Sequence, residues 1–298
     1  MMSGNGITSD DIETLTGGRI GVFDRPCPIC SPYRKPVNRK KCVMRIWRDE
    51  PGFATYHCAH CGIDGFVRDG SLSPPLDRVS LIQIRFEAAE RGRIARQDQI
   101  AKARWLWSSR LPVAGTAAEM YLREVRGYRV PLPATLGFLP ARADYLPAMI
   151  AAFGIADEPE PSILAITEDA VRAVHITRLK MDGTGKAGTD RDKIMLGRLT
   201  GAPIVLAPIT DSLGLAISED IENGLSAHAA TGLGVWAAGS ASHLSALAEE
   251  VPGFVESVTV IADVDDPGQC GAQHFADRLV ARGIGVEIVT PEQRRTGA

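Results

Sequence analysis

Two stretches late in the chain decide its fold: residues 213–219 read LGLAISE, and residues 258–266 read VTVIADVDD. Each is an apolar run of strand length that ends in acidic residues. From residue 204 to residue 289, short apolar runs alternate with segments of helical length, which is typical of a parallel α/β sheet. Ligand-binding groups in such sheets gather at the carboxyl ends of the strands. We therefore expect Glu219, Asp263 and Asp265 to face one crevice.

The chemistry of these three carboxylates predicts a metal site. Hard oxygen ligands suit Mg²⁺ or Mn²⁺, which keep several waters and bridge to substrate phosphates, so phosphoryl transfer is the reaction that the pattern favours. An Asp-x-Asp pair alone is equally typical of turns and helix caps. Its combination with Glu219 at a second strand end favours the metal.

A second constellation lies near the start of the sequence, where cysteines form two close pairs, Cys27 with Cys30 and Cys58 with Cys61. Two cysteines separated by two residues chelate one ion from a tight turn, and a second pair completes a closed tetrahedron. The pattern predicts a structural zinc ion. The alternative is four thiols without metal, but a unit so poor in apolar residues could hardly fold unaided.

Between the cysteine pairs, the sequence predicts a hairpin of strands over 42–48 and 53–57. The segment is also basic, although the whole chain carries a formal net charge of only -3, so any surface for a polyanion must be local. A binding face for single-stranded nucleic acid is one interpretation, and a solvated charged face with packed aromatic side chains is the other. The candidate contacts are Arg34, Lys35, Lys40, Lys41 and Trp47.

With 298 residues, 45% of them hydrophobic, the chain is expected to form two or three units. We predict five segments: a flexible tail (1–18), a zinc-ribbon domain (19–70), a helical linker (71–112), a basic middle subdomain (113–205) and an α/β domain (206–298). The first 18 residues have neither a leader pattern nor a membrane span. We therefore expect a cytoplasmic protein without a membrane partner.

The middle subdomain is predicted to be rich in β-structure, with strands over 162–167 and 174–180 paired to each other and a turn at 182–185. The turn has two glycines and a lysine, so it could cradle phosphate, but the Walker spacing is absent and a hairpin turn is the simpler interpretation. The basic candidates for nucleotide or template contact are Lys180, Lys186, Arg191, Lys193 and Arg198.

The two acidic stretches resemble the motifs of the Toprim fold, which primases, topoisomerases and some nucleases share. ISEDIENGLS at 217–226 is similar to the first motif, and ADVDDPG at 262–268 to the second. The resemblance implies that Glu219 is the general acid/base and that Asp263 and Asp265 hold the metal. The family usually has glycine after the motif glutamate, where this chain has Asp220.

A zinc ribbon ahead of a Toprim domain resembles the primases of phages and plasmids, in which the ribbon engages the single-stranded template. The implied fold is α/β: an N-terminal β zinc ribbon, a helical linker, a β-rich middle subdomain and a Toprim domain with a mainly parallel sheet. The implied function is RNA primer synthesis from NTPs on single-stranded DNA by metal-dependent nucleotidyl transfer, with a separate replicative helicase as partner. The alternatives are a Toprim nuclease and a non-catalytic module that binds single-stranded DNA.

Overall fold

The computed structural model describes residues 6–34, 36–69, 78–210 and 213–290. The chain divides into two compact units, Met1–Arg93 and Ile94–Ala298. The predicted fold class is confirmed: a β-sheet beside the cysteine pairs, a β-rich middle region and a C-terminal α/β region with a mostly parallel sheet. In the part of the chain that the structure describes, no helix is both long and apolar enough to cross a membrane.

The first unit contains a four-stranded antiparallel sheet with strands in the order of the sequence. The predicted hairpin corresponds to its second and third strands, whereas the two outer strands were not predicted. Met44, Ile46 and Tyr56 fill the core beneath the sheet. The strands are β1 (Gly21–Arg25), β2 (Met44–Glu50), β3 (Phe53–Cys58) and β4 (Asp64–Arg68).

The predicted flexible tail over 1–18 is wrong for its later part, where Ser9–Thr16 form a helix, α1. Thr8 and Asp11 cap it reciprocally, which satisfies backbone N–H groups at its start. Ile12 is 3% exposed within the core of the sheet. The polar composition of this short, well-capped helix hides two apolar residues, Ile12 and Leu15, that pack into the core.

A second helix, α2 (Arg78–Ser108), occupies most of the predicted linker; residues 70–77 lie outside the described residues. The part of α2 in the second unit is more than a linker, because Ala103 and Trp107 are buried against the strand residues Ile150 and Val174. The aromatic side chain of Trp107 makes this end of the helix a core element.

The middle region begins with a short helix, α3 (Ala117–Met120), which Thr116 caps, and continues in a wider turn over Tyr121–Val125. The strands of this region are β5 (Leu136–Leu139), β6 (Ala148–Phe153), β7 (Asp157–Glu160), β8 (Ile163–Ala165), β9 (Ala173–Arg178) and β10 (Lys193–Gly197). Four of them form an antiparallel sheet in the order β10-β9-β6-β5. The predicted pairing of 162–167 with 174–180 is wrong, since β9 pairs with β6 and β10 while β8 pairs with β7.

The C-terminal region alternates strands and helices, which agrees closely with the predicted alternation: β11 (Ile204–Ala207), β12 (Gly214–Ser218), α4 (Ile221–Thr231), β13 (Gly234–Ala237), α5 (Ala241–Leu244), β14 (Ser257–Ile261), α6 (Asp266–Ala281) and β15 (Gly285–Val289). Its sheet has the order β11-β13-β12-β14-β15, in which β11 is antiparallel to β13 and the other strands are parallel. β12 and β14 are neighbours, and Ser218 pairs with Ile261 at their carboxyl ends.

The middle region and the C-terminal α/β region share one hydrophobic core, which contains Tyr121 and Phe153 from the former and Ala216 and Leu225 from the latter. Thr135 strengthens the junction, because its hydroxyl donates to the backbone carbonyl of Val205 at 2.5 Å. The two regions are therefore parts of one folded unit.

Candidate functional site

The four paired cysteines converge at one point of the first unit. All four Sγ atoms lie within 4.8 Å of one another, and the distances are 3.9 Å from Cys27 to Cys61 and 3.8 Å from Cys30 to Cys58. A tetrahedral zinc ion with Zn–S bonds of about 2.3 Å places its sulfur ligands about 3.8 Å apart. The cluster therefore fits Zn²⁺ in both size and chemistry.

Local backbone turns hold the cysteines in place. The backbone N–H of Ser31 donates to the carbonyl of Cys27 at 3.0 Å, and that of Gly62 donates to the carbonyl of Cys58 at 2.9 Å. Gly62 has a φ of 75°, which glycine adopts without strain. Burial raises the pKa of Cys58 to about 11, so a thiolate at this position needs a cation to stabilise it.

The structure shows how exposed the basic and aromatic candidates are in the segment between the two cysteine pairs. Along β2, alternate residues are buried, which places Arg45 and Trp47 on the face opposite the core. Lys40 and Lys41 are exposed, and Arg34 and Trp47 are half-buried; Lys35 lies outside the described residues. This face offers less unpaired positive charge than the sequence implies, because Arg45 forms an ion pair with Asp24 at 2.7 Å.

The acidic residues follow the adjacent ends of β12 and β14. Asp265 caps α6, and its Oδ1 accepts a hydrogen bond from the backbone N–H of Gly268 at 2.9 Å. Asn223 of α4 reaches across the gap between the strand ends, because its Nδ2 donates to Oδ1 of Asp263 at 3.3 Å. Glu219 lies between β12 and α4 and is half-buried. The structure thus brings the three predicted carboxylates to one edge of the sheet.

Asp220, the departure from the usual motif glycine, has a structural role. It caps α4, and its Oδ1 accepts from the backbone N–H of Asn223 at 2.8 Å. Its Oδ2 lies 3.9 Å from Nζ of Lys193. Burial and the nearby charge of Glu222 raise the pKa of Asp220.

Glu222 is the most heavily bonded carboxylate near this edge, and sequence reasoning gave it no role. Only 7% of the residue is exposed, yet its Oε1 accepts from the hydroxyl of Tyr121 at 2.8 Å and lies 2.8 Å from Nζ of Lys186 and 3.4 Å from an Nη atom of Arg126. Burial alone would raise the pKa of Glu222, but the charges of Lys193 and Lys186 outweigh it and lower the pKa to about 2. The sequence does carry one sign of a buried role for Glu222, because this carboxylate lies close to the apolar residues Ile221 and Leu225 of the same helix.

Of the predicted basic contacts in the middle region, Lys186 and Lys193 lie beside the acidic residues. Lys180, Arg191 and Arg198 are exposed, and no carboxylate of a described residue forms an ion pair with them. The glycine loop before Lys186 is a turn in which Asp182 accepts from the backbone N–H of Thr184 at 3.0 Å.

The acidic edge fits a hard divalent cation that keeps its waters. Among the described residues, the cysteines are the one group of three or more His, Cys, Asp or Glu side chains drawn closely enough to enclose an ion directly. Mg²⁺ is usually held by one or two carboxylates, with waters and substrate phosphates in the other positions. The carboxylates of Asp263 and Asp265 suit that mode of binding.

Comparison with known families supports the division of the second unit into two regions. Residues 214–296 match the model of the Toprim domain, and residues 97–206 match that of a domain of unknown function, DUF7146. The C-terminal region is thus a Toprim domain, as its motifs predict. A search of curated proteins found no match.

Among solved structures, the chain is similar to two primases. The primase fragment of the bacteriophage T7 primase-helicase protein has 12% identity and a TM-score of 0.35, and the match covers 61% of this chain and 65% of that one. The Aquifex aeolicus primase, comprising zinc-binding and RNA polymerase domains, has 15% identity and a TM-score of 0.44, with 85% of this chain and 73% of that one covered. This chain therefore spans slightly less than two thirds of the T7 fragment.

Proposed function

We propose that the chain is a DNA primase that makes short RNA primers on single-stranded DNA. The observation that carries this proposal is that Glu219, Asp263 and Asp265 follow the ends of two adjacent parallel strands. Nζ of Lys193 lies 3.9 Å from Oδ2 of Asp220, the residue after Glu219. A Toprim domain supports nucleic-acid chemistry at this edge, and the cysteine cluster supports a structural zinc ion.

Each residue has a part in nucleotidyl transfer. Asp263 and Asp265 would hold Mg²⁺ or Mn²⁺, which, when bound, supplies activation of a 3′-hydroxyl and stabilisation of the leaving pyrophosphate. Glu219 would accept the proton of the attacking hydroxyl. Lys193 is 39% exposed along its side chain, so it can bind a triphosphate oxygen of the incoming NTP.

The ribbon would bind the template. Trp47 lies on the outer face of the sheet, and the exposed Lys40 and Lys41 lie in the loop before β2. Stacking on an aromatic ring and neutralisation of phosphates are the usual terms in binding single strands. A separate helicase would supply that template by opening the duplex.

The test is the nature of the product. The protein is incubated with single-stranded DNA, labelled NTPs and either Mg²⁺ or Mn²⁺. Oligoribonucleotides dependent on template and metal support the primase. Shortened DNA would indicate a nuclease, and DNA binding without any metal-dependent product would indicate a non-catalytic module; either result would overturn the proposal.

A further inference from the structure

Three separate positions of the middle region converge on one carboxylate oxygen of the Toprim domain. Tyr121 belongs to the wide turn after α3, Arg126 follows that turn, and Lys186 lies in the loop after β9. All three contact Oε1 of Glu222, in the first turn of α4. Arg126 also donates from Nε to the hydroxyl of Tyr121 at 2.8 Å, which closes the network.

The network acts on the start of α4 because of the position of Glu222 in the sequence. Glu222 is three residues after Glu219 and two after Asp220, so whatever fixes its side chain also fixes the start of α4. The first turn of a helix favours a negative charge. A carboxylate with so little exposed surface retains its charge only when paired and hydrogen-bonded. Among the described residues, the hydrogen-bond and ion-pair partners of this carboxylate all come from the region that matches DUF7146.

α4 packs so closely against the sheet that it has little freedom to move when a contact of Glu222 is lost. A Cβ atom at Gly224 would lie 2.6 Å from Oγ of Ser218 and 2.8 Å from a methyl group of Leu206. The helix is therefore packed tightly against the sheet on one side and tied to the middle region on the other. A shift of its first turn would move Glu219 and Asp220 with it.

We propose that Tyr121, Arg126 and Lys186 form a clamp on Glu222 that positions the catalytic edge of the Toprim domain. The region matching DUF7146 is then an integral part of the active site. In this arrangement Glu222 is a positioning residue, and Lys186 serves the clamp rather than the nucleotide. The predicted effect on catalysis rests on the proposed function, whereas the effect on α4 does not.

The first test measures the clamp without using activity. Glu222→Gln and Tyr121→Phe are compared with wild type by amide hydrogen exchange, with Glu124→Gln as the matched control. Glu124 lies in the same wide turn as Tyr121 but forms an exposed ion pair with Arg129 instead of contacting Glu222. We expect exchange in the segment 219–225 to accelerate about 10-fold or more in both clamp variants and to stay unchanged in the control, because local opening of the first turn becomes easier. Wild-type exchange in this segment of Glu222→Gln would overturn the proposal.

The second test separates positioning from nucleotide binding. Misplacement of reacting groups by about 1 Å reduces turnover on the order of 100-fold. In Glu222→Gln we expect kcat to fall about 10- to 100-fold. KM for NTP should not rise, because the positive charges of Lys186 and Arg126 are retained and are no longer paired with a carboxylate. Lys186→Met should lower kcat similarly, and the double variant Glu222→Gln/Lys186→Met should lose little more than either single one. Fully additive losses, or a rise in KM alone, would contradict the clamp.

The proposed function and the clamp can each be disproved without the other. A wild-type protein that makes no primers removes the proposed function, yet the exchange measurement still decides whether the clamp holds α4. Primer synthesis with unaltered exchange and kinetics in Glu222→Gln removes the clamp and leaves the proposed function intact.

Discussion

Nζ of Lys186 lies 2.8 Å from Oε1 of Glu222, so a cation of the middle region is tied to the first turn of a Toprim helix. This pair joins two stretches that match separate family models. Sequence patterns treat those stretches as successive segments, whereas the shared core and this ion pair make them one working unit.

The Lys186–Glu222 pair predicts a specific loss of stability in acid. The pKa of Glu222 is lowered from 4.5 to about 2. A lowered carboxyl pKa gives stability that is present above the unfolded-state pKa and is lost as the pH falls towards the folded-state value. Between pH 6 and pH 3, the unfolding free energy of wild type should therefore fall about 2 kcal/mol further than that of Glu222→Gln.

Urea unfolding at several pH values measures this difference. Two neighbours also titrate: Asp220, whose pKa is raised by burial, and His175, whose pKa is lowered to about 4 by burial. Both remain in the variant, where loss of the Glu222 charge removes one cause that raises the pKa of each, so the difference between the two curves includes this coupling. Glu124→Gln should follow the wild-type curve. Parallel curves for wild type and Glu222→Gln would show that the carboxylate is not stabilised by its partners.

The cysteine cluster predicts one zinc ion per chain, required for the ribbon to fold. Metal binding of this kind supplies folding free energy, so Cys58→Ser should lose the zinc and the cooperative unfolding of the first unit. Metal analysis by mass spectrometry and thermal unfolding measure the two effects. Cys42→Ser is the control, because that thiol is exposed and outside the cluster. Stable, folded wild-type protein without zinc would contradict the prediction.

The outer face of the ribbon predicts a contribution of Trp47 to template binding. Stacking on an aromatic side chain contributes about 1–3 kcal/mol per base, so Trp47→Ala should weaken binding of single-stranded DNA roughly 5- to 100-fold. Fluorescence anisotropy with a labelled oligonucleotide measures the change. Trp105→Ala removes a tryptophan that is 61% exposed on α2 and outside the ribbon, and we expect it to bind normally. Equal effects of the two substitutions would argue against a binding face on the ribbon.

Close packing of α4 predicts that Gly224 cannot be enlarged without cost. Gly224→Ala should destabilise the second unit by about 1–3 kcal/mol, since a Cβ would approach Ser218 and Leu206 more closely than contact allows. Gly253→Ala is the matched control, because a Cβ at that position has no atom within 4 Å among the described residues. Denaturant unfolding compares the two variants. A Gly224→Ala variant as stable as wild type would show that the helix can move away from the sheet.

Much of the C-terminal fold follows from its local pattern. Apolar runs such as 258–262 are typical of strands buried on both faces, and the helices between them favour parallel pairing. The same logic fails for 162–167. A hairpin of this segment with 174–180 is the simplest expectation, but β9 pairs with β6 and β10 instead. Strand pairing across long loops has no local signal.

The candidate site was predictable where side chains follow strand ends and unpredictable where they meet across the fold. Glu219, Asp263 and Asp265 are marked by their position after apolar runs. The partners of Glu222 are separated from it by up to 101 positions in the sequence, and no spacing rule connects them. Arg48 is likewise one of the basic residues between the cysteine pairs, yet its side chain is only 4% exposed and pairs with Glu13, a contact that no local pattern indicates.

The most direct measurement of the central claim is primer synthesis by wild type, by Glu219→Gln and by the double variant Asp263→Asn/Asp265→Asn. Asparagine at 265 keeps an oxygen for the cap on Gly268, so α6 should remain folded. We predict short template-dependent RNA from wild type and at least about 100-fold less from either variant, with binding of single-stranded DNA retained. Synthesis at the wild-type rate by the double variant would contradict the account.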